Sequence, residues 1–113
     1  MRFNAPDYVY RCSPPILGND TAEEPFTISI KGIPAKDLDA AVIEQSVMTP
    51  DNRAKKSLEM IGKQVVDIEN LWIGDVEIKT FKQLYELAPR EIYSWVCAAV
   101  YSTEALSEAE VKN

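Results

Sequence analysis

Histidine is absent from this chain of 113 residues, and that gap removes more chemistry than any other feature. Without an imidazole there is no Ser-His-Asp or Cys-His arrangement, no histidine proton relay and no HExxH-type zinc site. Cysteine is scarce as well. Cys12 and Cys97 stand far apart, too few for a thiolate metal site or a disulfide framework, and both are expected as free thiols. Cys97 lies in an apolar stretch and reads as a small buried hydrophobe. Cys12 has Arg11 beside it, and an adjacent cation lowers a thiol pKa, but no base partners it. The four glycines are scattered singly, so no phosphate-cradling loop can be assembled. No cofactor and no metal are expected. Carboxylate pairs remain open to any chain with 18 acids and single out no residue.

Long apolar runs are missing too. The longest, such as Trp95 to Val100, fall far short of the roughly 20 residues that span a bilayer. Met1 to Asp7 has no apolar stretch of the kind a secretory signal needs. The expectation is a protein that stays in the cytoplasm and away from membranes.

What the chain does contain is a core's worth of apolar residues, 46% of the total, in a length that suits one domain. A single domain over 1–113 is expected, with 1–6 and 107–113 frayed. Its net charge is −6. Such a surface repels phosphate backbones, and nucleic-acid binding needs a clustered basic face. The one dense basic patch, Arg53-Ala54-Lys55-Lys56, is more simply the solvated side of an amphipathic helix.

Along the chain, Asp7 to Cys12 is β-branched and aromatic, which favours a strand ended by Ser13-Pro14-Pro15. Gly18 to Pro25 is a polar loop; its Asn19-Asp20-Thr21 triplet is a chance match to a glycosylation site. Phe26, Ile28 and Ile30 alternate with Thr27, Ser29 and Lys31, predicting a half-exposed strand paired with the first. A helix is predicted over 35–47, with Leu38, Ala41, Val42 and Val47 at helical spacing. Thr49-Pro50-Asp51 starts another, carrying Ala54, Leu58 and Ile61 on one side and ending near Gly62-Lys63. The runs Val65–Ile73 and Val76–Lys79 flank Gly74-Asp75 and predict a hairpin. Thr80 caps a short helix with Phe81, Leu84, Tyr85 and Leu87, and Pro89 opens the last long one. There Ile92, Trp95, Val96, Ala99, Val100 and Thr103 form one stripe, and Tyr93, Cys97 and Tyr101 a second. A helix apolar nearly all round is either central to the core or shared with a partner. Ser107 with Glu110 reads as a capping box for a final half-turn. The predicted fold class is α+β: small antiparallel hairpins with three to four helices.

The stretch Gly62-Lys63-Gln64-Val65-Val66-Asp67-Ile68-Glu69-Asn70, then Gly74 to Thr80, then Leu84-Tyr85-Glu86-Leu87-Ala88-Pro89 and Ala105 to Asn113, resembles the tail assembly chaperones of tailed phages and prophages. In those, a hairpin with a glycine turn precedes a Thr-capped helix, and a C-terminal helix ends in a Leu-Ser-x-x-Glu-x-Lys-Asn sequence. The resemblance spans about half of the chain and rests largely on turn and cap signals. It implies a non-enzymatic role in the bacterial host cell: binding a tail or other virion protein during assembly. Candidate protein-binding residues are then Trp72, Tyr93, Trp95 and Tyr101, because Trp and Tyr dominate interface hot spots. Each of the four also fits a core role, and the last helix would serve equally for self-association. The competing expectation is an acidic regulator that captures a basic partner or mimics nucleic acid. That role requires the acids on one continuous face, whereas here they are interleaved with lysines.

Overall fold

In the computed structural model, which describes residues 1–111, a three-stranded antiparallel sheet is built from β1 (Val9–Cys12), β2 (Thr27–Lys31) and β3 (Val65–Glu69), in that order. The alternation in the second segment puts Ile28 and Ile30 on a fully buried face. They lie opposite Cys12 and Tyr10 of β1, so the predicted pairing of the first two strands is as observed. The other face is less wet than its polar residues imply. Thr27 is buried because β2 is the central strand, flanked on both sides, and Arg11 of β1 reaches Glu69 of β3 at 3.3 Å on the same surface.

Three segments depart from the sequence reading. The predicted 65–73 hairpin arm splits at Asn70, whose φ of 63° is a left-handed conformation that asparagine tolerates better than most residues. Upstream of it β3 joins β2; downstream only β4 (Trp72–Ile73) pairs with β5 (Val76–Glu77) across Gly74-Asp75. Gly74, at φ 60°, occupies the first position of the two-residue loop, where hairpin turns demand glycine. The helix expected to end near Gly62-Lys63 does so as α2 (Pro50–Gln64), with Thr49 capping Asn52 N–H as predicted, but Ala54, expected on the packed side, is exposed. The predicted last long helix is two helices. α4 (Arg90–Val100) ends at Tyr101, and Ser102 in extended conformation accepts Ala105 N–H to start α5 (Thr103–Ala109). Thr103 therefore lies outside the α4 stripe, and Ser107, read as a cap, is in the body of α5. That split accounts for five α-helices among the described residues in place of three to four.

The remaining helices are α1 (Ala35–Gln45) and α3 (Phe81–Leu87). α3 carries a full capping box, with Thr80 and Gln83 exchanging side-chain and backbone hydrogen bonds. The architecture is α+β, in a plate of 46 × 41 × 18 Å. One core joins the inner face of the sheet (Tyr10, Cys12, Ile28, Ile30, Ile68) to Ile78, Leu84, Ile92, Val96, Val100 and Leu106. In the C-terminal stretch Ser13 N–H donates to Ala109 O, and Val111 N–H to Arg11 O. Lys112 and Asn113 lie outside the described residues. The polar loop before β2 closes on Asn19, which is buried. Its amide donates to Pro14 O and Phe26 O and accepts from Phe26 N–H.

Candidate functional site

A concave surface lies where α2, β3 and α3 meet. It is an open groove of about 600 Å³ floored by Leu58, Gly62, Val65, Val66, Phe81 and Tyr85, with Glu59, Lys79, Lys82 and Glu86 on its rim. Its size falls in the range of ligand- and peptide-binding clefts.

Each wall has a local cause. Phe81 and Leu84 of α3 are spaced i and i+3 and turn into the core, while Tyr85, next to Leu84, is exposed at 48%. Gly62 lets α2 approach α3. A Cβ there would sit 3.3 Å from Phe81 Cδ2, so the glycine that weakens the helix by about 1 kcal/mol relative to alanine also makes the contact possible. Val66 is placed by a β-bulge. The register runs Ser29 opposite Asp67 and then Ile30 opposite Val65, so Val66 is the extra residue. Bulges re-aim a side chain, and Val66, at 53% exposure, faces outward into the groove.

None of the four candidate residues lines this groove. At about 100° per residue, Tyr93 and Trp95 fall on opposite flanks of the buried α4 stripe. Both are half-buried against the core. Tyr93 stands behind the groove wall, its ring 6.1 Å from Phe81 and 5.5 Å, edge-on, from Tyr85. Tyr101, at the C-terminal end of α4, is 45% exposed. Trp72 is 56% exposed on the separate β4–β5 hairpin. Nor is α4 apolar on every side, since Glu91, Ser94 and Ala98 are exposed.

On α4 behind the groove, burial raises the pKa of Tyr93 and of Cys97. Burial, then a hydrogen bond with Cys97, pushes the Tyr93 hydroxyl up to about 12. Burial raises the Cys97 thiol, against the opposing hydrogen bond from Tyr93. Cys12 is fully buried, donates to Leu106 O at 3.4 Å, and is pushed up to about 12 by burial and then by Glu110. A thiol in that environment is a poor nucleophile near neutral pH, and Arg11 points to the opposite face of β1, toward Glu69. Among the described residues no group of three His, Cys, Asp or Glu gathers as metal ligands, and no helix is long and apolar enough to cross a membrane.

Sequence reasoning missed the groove residues Leu58, Gly62, Val66 and Tyr85. Tyr85 has no sequence signal, because at i+4 from Phe81 it shares the helical face of Phe81 and Leu84. The bulge at Val66 has no local signal. Comparison of the chain with protein families, with curated proteins and with solved structures gives no match.

Proposed function

We propose that this chain is a non-enzymatic protein-binding protein whose docking site is the α2–β3–α3 groove. The observation that carries the reading is the groove itself: about 600 Å³, apolar on its floor, with Val66 and Tyr85 presented to solvent. An apolar concavity rimmed by charge takes an apolar side chain of a partner and excludes water around it. The lack of histidine and the raised Cys12 thiol favour binding over catalysis. The resemblance to tail assembly chaperones extends the proposal to its setting. The partner is then a tail or other virion protein, held in the bacterial cytoplasm before assembly.

Capture tests both parts. The tagged chain should retain one phage structural protein in near-stoichiometric amount from a lysate in which virions are being made. Tyr85→Glu should abolish that retention while melting at nearly the same temperature. Retention unchanged by Tyr85→Glu would dismiss the groove, and retention of only non-virion proteins would dismiss the setting.

A further inference from the structure

The sheet has two edges, and the fold treats them differently. The end of the β1 edge is covered by the chain's own C-terminal segment: Cys12 bridges Glu110, Ser13 N–H donates to Ala109 O and Val111 N–H to Arg11 O, and Tyr8 O–H donates to the Glu110 carboxylate. The β3 edge has no such cover. It is the terminal strand of the sheet, and among the described residues no backbone hydrogen bond joins its outer side to another element. An uncovered edge is a template for an added strand. This one borders the groove, since Val65 and Val66 belong to both.

We infer that β3 takes an extended segment of the partner as a fourth strand, with apolar residues alternating with Lys or Arg. The inference rests on the groove being the docking site and specifies the occupant. A strand laid beside β3 would turn every second side chain toward the inner face, where Leu58, Val65 and Tyr85 offer apolar surface. The intervening side chains would lie on the outer face opposite Asp67 and Glu69, both exposed. Glu69 already has Arg11 at 3.3 Å, whereas Asp67 makes no ion pair among the described residues. The lysines on the α3 rim do not cancel this preference. Lys79 is paired with Glu77 at 3.2 Å, and Lys82 shares the rim with Glu86. A second copy is a poor occupant, because antiparallel self-pairing centred on β3 sets Asp67 against Asp67, and like charges directly opposite are destabilising. The charges that guard this edge against self-association select a basic strand.

Two synthetic peptides of equal composition test the inference on the full chain: one alternating valine and lysine, the other with its valines at helical spacing. Binding is read by fluorescence anisotropy, and the backbone by amide hydrogen exchange. The alternating peptide should bind better and slow exchange at 66–69. Asp67→Lys should weaken it roughly fivefold and favour a valine–glutamate version instead. Asp67 is exposed, so the fold should survive the change, and melting checks this. Binding that leaves the β3 amides unprotected, or ignores Asp67→Lys, overturns strand addition. Preference for the helical peptide, lost in Tyr85→Glu, also overturns it while leaving the groove in place. If neither peptide binds, strand addition falls, and the capture assay with Tyr85→Glu decides separately whether the groove reading stands.

Discussion

α1 and α4 are both eleven residues long, and both follow a proline at the cap position in extended conformation. They have opposite fates. α4 sends Ile92, Val96, Ala99 and Val100 into the core, while α1 buries only Ala41 and leaves Val42 and Ile43 exposed at 60% and 71%. The difference lies in spacing and size. α4 repeats large apolar residues at i, i+4 and i+8 along one stripe, and α1 offers that stripe only Leu38, Ala41 and Gln45. α1 is tethered to the first half of α2, where Lys56 reaches Glu44 at 3.6 Å. An exposed ion pair of that kind contributes at most about 1 kcal/mol. Shared start signals therefore make two helices, and stripe composition decides which one is structural.

The largest predicted effect breaks the comparison if it fails. Ile92→Ala should cost roughly 2–5 kcal/mol in urea unfolding, as expected for a buried isoleucine, while Ile43→Ala should stay within about 0.5 kcal/mol. Comparable losses at several protein concentrations would mean that α1 is covered after all. Next, Gly62→Val should destabilise by about 1–3 kcal/mol through overpacking against Phe81, marking the point where α2 passes from its exposed half to its packed half. Ser102→Ala should cost about 1 kcal/mol as a lost N-cap, and Ser107→Ala close to nothing. Equal costs would restore a helix start at Ser107.

High pH sharpens the contrast further. Cys12 and Tyr93 are held protonated to about 12 in the folded chain, against ordinary values of 9.0 and 10.0. The unfolded chain releases these protons first. Their contribution is therefore complete below pH 9 and declines as pH rises toward 12. Stability measured from pH 8 to 12 should show this fall, and Cys12→Ala should remove the portion that begins near pH 9. Hydrogen exchange under the same conditions should report loosening on the α4 side of the plate.

Elements with a local cause were legible in the sequence: the alternation of β2, the Thr49 and Thr80 caps, the Gly74-Asp75 turn and the α4 stripe. What escaped depends on distant contacts. Asn19 reads as one polar loop residue among several, yet it is buried because the 14–26 loop has backbone groups that only its amide reaches. Gly62 reads as a stop signal, and only Phe81, close in space, explains its place inside a helix. The candidate aromatics were chosen by residue type, which cannot tell a half-buried Tyr93 from an exposed Tyr85. That distinction depends on which face of α4 meets α3.

The central claim is that the partner docks on the groove and not on the exposed face of α1. Amide hydrogen exchange of the chain, alone and in complex with the protein it captures, tests this directly. Protection is predicted at 58–66 and 79–86, with 38–47 unchanged. Protection confined to 38–47 would contradict the account, because the exposed Val42 and Ile43 of α1 would then be the docking surface.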